Sequence, residues 1–191
     1  MFACSVLACA GFARAQEIDV AAGGSTLFSP RPSSASEAFQ PPALKGGLYP
    51  GASLQYVRPD HFGLNAEFNF RYKETFYNGY QKFRPTLYDV NAVYAMSISD
   101  RSTIHLMAGG GAQTTIFYNV FNPCTSGGGV CKTNLNSTHF LVDVGADLRY
   151  TVWRHIFLRP EVRYFRVIND TQFHSSNLFR AGVSVGYTFG R

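Results

Sequence analysis

The sequence predicts an all-β protein: an eight-stranded antiparallel up-and-down transmembrane β-barrel. Three observations support this fold class. Apolar and polar residues alternate with period two through eight segments of the chain. Each segment reaches the roughly 9 to 11 residues that a tilted membrane strand needs, whereas strands of soluble sandwiches are shorter. Short and long connections also alternate, as expected when tight turns lie on one side of a membrane and loops on the other.

Composition excludes several classes of protein. The 191 residues are 46% hydrophobic and 15% aromatic, which is enough for one domain with a substantial interior. No apolar run approaches the roughly 18 to 20 residues of a membrane helix, so a helical membrane protein is excluded. The formal net charge is +5, but the basic residues are scattered singly through alternating segments. We therefore expect no nucleic-acid partner.

The first 15 residues read as a cleavable signal segment. A short apolar stretch, "FACSVLACAGFA", precedes the A-x-A site Ala13-Arg14-Ala15, with cleavage expected before Gln16. The alternative is a buried N-terminal helix. With cleavage, the chain divides into a signal peptide (1–15) and a barrel domain (16–191), and export places the domain in an oxidising compartment.

The eight strands follow from the alternation in chain order. The connections at 58–61, 99–102 and 154–155 are tight turns, and those between the remaining strands are longer and polar, Pro-rich or Gly-rich. The predicted strands cover about 17–29, 46–58, 62–74, 84–98, 103–118, 137–153, 155–168 and 177–190.

The stretch "GLNAEFNFRYK" (63–73) shows how the two faces are assigned. Phe68 and Phe70 share one parity, and Glu67 and Arg71 share the other. The interior of an eight-stranded barrel is only just wide enough for side chains, so it cannot hold the many large apolar residues of the first parity. These residues are therefore expected to face lipid while the polar parity fills the lumen. A soluble lipocalin-like carrier is the alternative, and it requires the apolar parity inside.

The same assignment extends to the other strands. Residues expected to face lipid are Phe68, Phe70, Tyr94, Val144, Val183, Val185, Tyr187 and Phe189. Charges expected to point inward, besides those of the two strands that meet at 154–155, are Glu67, Arg71, Asp89, Asp143 and Arg180.

The two strands that meet at 154–155 carry five inward charges. Like charges directly opposite each other are destabilising. We therefore expect the register that sets Asp147 opposite Arg163 and Arg149 opposite Glu161, with Arg159 completing a salt-bridge network in the lumen. Pro160 lacks an N–H, so a local bulge or kink is expected beside it.

Two cysteines remain after removal of the signal segment. Cys124 and Cys131 flank a Gly-rich run in "PCTSGGGVC". In an oxidising compartment, this pair is expected to close a loop by a disulfide. A zinc site is disfavoured because neither a nearby His nor a second Cys pair completes four ligands. The five histidines are dispersed, so no metal site and no cofactor are expected.

One segment of the seventh predicted strand and the terminal segment, together with the eight-strand layout, carry a family resemblance. "FLRPEVRYF" (157–165) and "AGVSVGYTFGR" (181–191) resemble the small OmpA-like outer-membrane β-barrel domain family, across essentially the whole mature chain. The resemblance implies the outer membrane of a Gram-negative-type bacterium, a lipid bilayer as environment, and insertion by the barrel assembly machinery. The family's terminal aromatic corresponds to Phe189, although Gly190 and Arg191 follow it here.

Three functions are compatible with this fold. The first is a structural or surface-interaction role through outer loops, in a monomer with no catalysis, because loops on rigid scaffolds commonly carry recognition. The runner-up is a narrow, porin-like pore or gated channel through the charged lumen. The third is a lipid-modifying enzyme: His174, Ser176 and Asn177 resemble the H-x-S-N pattern of lipid A deacylase barrels. The acidic partner expected after that motif is missing from the last strand.

Overall fold

The computed structural model describes residues 17–29, 44, 46–77, 81–118, 134–170, 173 and 176–190. These residues form eight long strands and one short strand. The strands are β1 (Glu17–Phe28), β2 (Tyr49–Val57), β3 (Phe62–Phe70), β4 (Thr75–Tyr77), β5 (Gln81–Ser99), β6 (Ser102–Tyr118), β7 (Asn134–Trp153), β8 (Ile156–Val167) and β9 (Asn177–Phe189).

The eight long strands close into a barrel. Each pairs antiparallel with its neighbour in the chain, β3 pairs directly with β5, and β1 pairs with β9 along almost its whole length. The short strand β4 continues the sheet on the outer end of β5. Closure leaves no free edge over the membrane-crossing part of the sheet, which satisfies the backbone groups without water. The predicted eight-stranded up-and-down barrel is confirmed.

The two parities of the strands meet different surroundings. On the outer surface, Phe68 is 49% exposed and Val185 is 55% exposed, while Glu67 and Asp143 are buried inside the barrel. Alternation of this kind continues around all eight long strands. A band of exposed apolar side chains around a polar interior is the arrangement of a barrel whose outer surface meets lipid. Within the described residues, no helix is long and apolar enough to cross a membrane.

The register between β7 and β8 differs from the predicted one. Asp147 lies opposite Glu161, and Gly145 lies opposite Arg163, so the predicted pairs Asp147–Arg163 and Arg149–Glu161 are wrong. The like-charged pair is tolerated because each carboxylate finds its counter-charge or donor on another strand, as described below. The pairs of Pro160 and Arg159 with β7 are missing from the ladder, which is an irregularity at the expected place, and a shift in register also falls between Thr151 and Trp153.

The interior is layered along the barrel axis. Ionic side chains fill the middle and the end that carries the tight turns, here called the turn end. Apolar side chains fill the opposite end, here called the outer end, so the expectation of a wholly polar lumen is wrong there. Its apolar cluster consists of Leu27, Leu44, Tyr49, Phe83, Leu87, Phe117, Leu141, Phe165, Val167, Phe173 and Leu178.

The length of the strands explains the apolar cluster. Strands β5, β6 and β7 have 19, 17 and 20 residues, far more than a crossing needs. Their outer parts rise beyond the lipid band, where the inner parity packs as an ordinary hydrophobic core. Leu44 and Phe173, from the connections before β2 and before β9, are both buried in this core. The barrel is thereby capped from within at its outer end.

Candidate functional site

The centre of the lumen is organised around Arg163 on β8. Its guanidinium lies 2.7 Å from Glu67 of β3, 3.1 Å from Asp89 of β5 and 3.1 Å from Asp143 of β7. It also donates to Asn65 Oδ1 at 3.3 Å. The planar guanidinium has five donors in a fixed fork, which allows one side chain to bind carboxylates from several strands. Arg163 therefore ties together strands that are far apart around the sheet.

Arg180 on β9 forms the second cationic centre. Its Nη2 lies 2.5 Å from Glu67 Oε1 and 2.9 Å from Glu161 Oε1. The guanidinium also stands over the ring of Phe165, 5.3 Å from the centroid. Glu161 thus obtains its counter-charge from β9 rather than from β7, which removes the penalty expected for facing Asp147.

Acidic groups outnumber basic groups at this level of the lumen. Glu67, Asp89, Asp143 and Glu161 surround only two arginines, Arg163 and Arg180, and all six side chains are buried. Amide groups supply further donors: Asn69 donates to Glu67 at 2.7 Å and Asn91 donates to Asp89 at 2.5 Å. Removal of either arginine would leave several carboxylates without a counter-charge in a medium of low dielectric constant.

Nearer the turn end, His105 and Arg159 hold Asp147. His105 Nδ1 lies 2.8 Å from Asp147 Oδ1, and Gln55 Nε2 lies 3.4 Å from His105 Nε2. Gln55 Oε1 accepts from Arg159 Nη1 at 3.4 Å, so the amide nitrogen must be the group that donates to the imidazole. Arg159 also donates to Ser53.

Arg149 completes the turn end of the lumen. It lies 2.8 Å from Glu17 and 3.2 Å from Asp19, both on β1, and donates to Thr188 on β9 at 2.6 Å. The guanidinium also covers the ring of Phe157, 5.1 Å from the centroid. Arg149 was expected to pair with Glu161 of β8, but it binds β1 and β9, the first and last strands, instead.

Little space remains between these side chains. The void among Gly23, Ser53 and Arg159 has a volume of about 10 Å³, which is the size of one water molecule. A larger cavity of about 160 Å³ opens at the turn end, and the buried His105 is one of its lining residues. Above the ionic layer, the apolar cluster fills the outer end. The described interior is a packed core rather than a continuous channel.

The outer end of the described barrel is basic. The side chains of Lys82 and Arg84 point outward from β5. Glu74 lies 3.5 Å from Lys82 and 3.9 Å from Arg84. Arg71 stands over Tyr49, 5.9 Å from the ring centroid. Exposed Lys73 and Arg166 add two more cations at the same end.

Some predicted residues lie outside the described part of the chain. These are Cys124, Cys131, His174 and the whole signal segment. The backbone oxygen of Ser176 accepts from Val167 N at 2.8 Å. Asn177 Oδ1 accepts from the hydroxyl of Tyr164 at 2.7 Å and from Arg166 at 2.8 Å.

The predicted network is brought together only in part. Arg159 lies 3.9 Å from Asp147, and Arg163 lies 3.9 Å from Glu161, both at the limit of an ion pair. Apart from Asp143 of β7, which lies 3.1 Å from Arg163, the closer partners lie on strands that the sequence reasoning did not connect with β7 and β8. His105, Gln55 and Asp19 were missed altogether, although their inward parity within alternating strands is a signal that could have found them. No group of three or more potential metal ligands occurs within the described part of the chain.

Comparison with known proteins gives structural similarity only. At the level of sequence, no family model and no curated protein matches the chain. A major outer membrane protein from Thermus thermophilus has a TM-score of 0.62 and 10% identity, and the match covers 92% of this chain and all of that one. The attachment invasion locus protein Ail of Yersinia pestis, solved with the heparin analogue sucrose octasulfate, has a TM-score of 0.57 and 11% identity, over 91% and 97% of the two chains.

A third solved structure, the N-terminal β-barrel domain of Pseudomonas aeruginosa OprF, gives a TM-score of 0.56 at 14% identity and covers 91% of this chain and 97% of that one. These structures share the closed barrel and differ in almost every residue, so they bear on the fold. The apolar outer band and polar interior agree with it. The chain has the fold of the small OmpA-like outer-membrane β-barrels, and its outer surface is that of a barrel that meets lipid.

Proposed function

We propose that this barrel is a non-catalytic protein whose outer end recognises acidic ligands at the cell surface. The observation that carries the proposal is the combination of a filled lumen with a rigid, basic outer end. The ionic and apolar layers leave no described path for a solute through the barrel. Function is therefore expected at the outer end, where recognition surfaces on rigid scaffolds usually lie.

Strands β5, β6 and β7 support this proposal by their regular pairing beyond the lipid band. The pairing of β5 with β6 continues to Lys82 opposite Tyr118, and that of β6 with β7 continues to Tyr118 opposite Asn134. Tyr118 and Asn134, the two ends of the connection 119–133, lie at the tip of this three-stranded extension. A disulfide between Cys124 and Cys131 would reduce the freedom of that segment and favour a single binding conformation.

Charge supports an acidic class of ligand. Five basic side chains, Lys73, Lys82, Arg71, Arg84 and Arg166, occupy the outer end of the described barrel, against Glu74 as the exposed acid there. Basic patches raise the association rate of acidic partners at low salt. The solved Ail structure contains a polysulfated heparin analogue, which makes heparin a suitable probe for this chain as well.

The double substitution Lys82→Gln/Arg84→Gln, which removes two exposed cations of the outer end, tests the proposal. The wild-type barrel in detergent should bind heparin-agarose, and the variant should elute at clearly lower salt while keeping the heat-sensitive gel mobility of a folded barrel. Two results would refute recognition of acidic ligands at the outer end: no retention of the wild type, or equal retention of both proteins.

The pore and the enzyme remain the alternatives. The cavity of about 160 Å³ at the turn end is the observation that favours a pore, because it gives water access as far as His105. The enzyme hypothesis rests on His174, which lies outside the described residues, and on Ser176. Mass analysis of lipid A incubated with the purified barrel tests it, since loss of an acyl chain would establish catalysis.

A further inference from the structure

Asp89 on β5 directly opposes a second acid across the strand ladder. Its partner in the register of β3 and β5 is Glu67, and both side chains are buried in the lumen. Directly opposed like charges are destabilising. Asp143 avoids this penalty, because Gly109 and Phe165 are the residues opposite it.

The lumen contains another opposed pair of acids, Asp147 and Glu161, but each member of that pair lies beside a compensating group from a different strand. His105 Nδ1 lies 2.8 Å from Asp147 Oδ1, and Arg180 Nη2 lies 2.9 Å from Glu161 Oε1. Opposed acids are therefore tolerated in this lumen where both members are compensated.

Compensation is unequal between Glu67 and Asp89. The two oxygens of Glu67 lie 2.7 Å from Arg163 and 2.5 Å from Arg180, and Asn69 donates to Glu67 at 2.7 Å. Contacts with two guanidinium groups favour the ionised form of a carboxyl group. Glu67 is thus the member of the pair that is held as a carboxylate.

Within the described residues, Asp89 receives hydrogen bonds on one oxygen only. Arg163 Nη1 lies 3.1 Å from Asp89 Oδ1 and equally far from Asp143 Oδ2, so one nitrogen serves two acids. Asn91 also donates to Asp89 Oδ1, at 2.5 Å. The buried Oδ2 of Asp89 receives no hydrogen bond from the described part of the chain. An ionised carboxylate carries charge on both oxygens, so its burial in this form is costly.

The groups around Asp89 have an excess of negative charge. The charged side chains that face it are Glu67 of β3, Asp143 of β7, Arg163 of β8 and Arg180 of β9. On β6, the other strand that pairs with β5, the residue opposite Asp89 is Gly111. With Glu161 included, four acids surround two arginines at this level. Neutralisation of Asp89 halves that excess of negative charge.

We propose that Asp89 binds one proton in the folded barrel at neutral pH, and that release of this proton loosens the ionic layer as the pH rises. The neutral side chain relieves the repulsion from Glu67 and leaves Arg163 to the ionised acids. In the unfolded chain, an exposed aspartate is ionised above about pH 4, so unfolding releases the proton and becomes more favourable at higher pH. The layer thereby makes the barrel more stable in weakly acidic than in alkaline surroundings, whatever ligand the outer end binds.

Infrared spectroscopy of the folded barrel in lipid vesicles tests for the proton directly. At about pH 7, the wild type should show the carbonyl stretch of a protonated carboxyl group, and this band should disappear at alkaline pH. Asp89→Asn, which keeps the shape of the side chain, should lack the band. Asp170→Asn is the matched control and should keep it, because Asp170 is likewise buried but lies at the outer end, where Gln113 and Phe173 donate to it.

Glu67→Gln leaves Asp89 in place and provides a second variant. It should also lose the band, because Asp89 can ionise beside Arg163 once the opposed acid is neutral. A band that remains in this variant would contradict the role given to Glu67. Gel mobility before and after heating establishes that each variant is folded.

Urea titration in lipid vesicles measures the consequence for stability. Between about pH 6 and about pH 9, the unfolding equilibrium constant of the wild type should rise at least about 10-fold more than that of Asp89→Asn, because only the wild type loses the proton. Asp170→Asn should keep the wild-type dependence.

Four results would overturn the proton site: a band that persists in Asp89→Asn, a band that disappears in Asp170→Asn, equal pH dependence of the wild type and Asp89→Asn, or a urea midpoint that follows the sodium concentration instead of the pH. The last result would mean that a metal cation neutralises the layer.

Discussion

At the scale of single residues, Arg163 has the largest structural role. It binds carboxylates from three other strands of the barrel, and only 1% of its surface is exposed. A buried cation of this kind adds little to stability when its partners are counted with it, because desolvation offsets the attraction. Removal of Arg163 alone is expected to be strongly destabilising, since the carboxylates around it would stay buried without a counter-charge.

Replacement of Arg163 by Met should lower the free energy of unfolding by about 3 to 5 kcal/mol, because Glu67, Asp89 and Asp143 lose their shared cation. Urea titration of the barrel in lipid vesicles measures the change. Arg58→Met is the control: Arg58 and Asp60 form an exposed pair at 3.3 Å, so the loss should stay within about 1 kcal/mol. Similar losses in both variants would contradict a central role for Arg163.

The alternation of the sequence predicted which residues of the network point inward, but not their partners. Period two decides the face of each side chain from local sequence alone. The partner across a narrow lumen depends on the stagger and tilt of the closed barrel, to which every strand contributes. Arg163 and Glu67 therefore lie together although 96 positions separate them in the chain. The register of β7 and β8 was predicted wrongly for the same reason, because the argument from opposed charges considered this strand pair in isolation.

At the scale of elements, the glycines of β6 fit the close approach of β5. A Cβ added to Gly111 would lie 2.0 Å from the backbone oxygen of Tyr88, and one added to Gly109 would lie 2.2 Å from that of Val90. Both glycines belong to the crowded inner parity. Gly110, on the outward parity, would meet its nearest atom only at 3.1 Å. Glycine is thus needed mainly at the first and third positions of the run, Gly109 and Gly111.

Gly111→Ala should lower the free energy of unfolding by at least about 2 kcal/mol, because the backbone of β5 has to move away from the new methyl group. Gly110→Ala is the matched control and should change stability by less than about 1 kcal/mol, since its closest contacts require a shift of only a few tenths of an ångström. Urea midpoints of the two variants, measured side by side, decide the matter; a larger effect at Gly110 would contradict the packing described here.

The register of β7 and β8 offers a second test at this scale. Ala146 lies opposite Val162, whereas the register expected from charge pairing would have placed it opposite Tyr164. In a cysteine-free background, Ala146→Cys/Val162→Cys should form a disulfide on mild oxidation, because directly opposed residues have Cα atoms about 4.5 to 5.5 Å apart. Ala146→Cys/Tyr164→Cys should remain largely reduced. Gel mobility with and without reductant reports the bond, and preferential cross-linking of the second pair would support the other register.

At the scale of the whole molecule, side chains block the lumen at two levels along the barrel axis. The ionic layer around Arg163 and Arg180 fills the middle, and the apolar cluster around Phe83 and Leu87 fills the outer end. The fold itself was predictable, because alternation, strand length and loop asymmetry are repeated eight times and reinforce one another. The outer apolar layer was not, since it forms only where long strands leave the membrane and connections fold inward.

Because an ionic layer and an apolar layer both block the lumen, we expect the barrel not to conduct ions. The wild-type barrel in a planar bilayer should show no steady unitary current, and Phe83→Ala should show none either, because opening the apolar end leaves the ionic layer intact. The substitution should still cost about 3 to 5 kcal/mol of unfolding free energy, since Phe83 is almost completely buried between Phe117 and Phe173. Single-channel recording and urea titration of the same preparations separate the two effects. A stable current through the wild type would establish a pore and remove the filled lumen as the basis for placing function at the outer end.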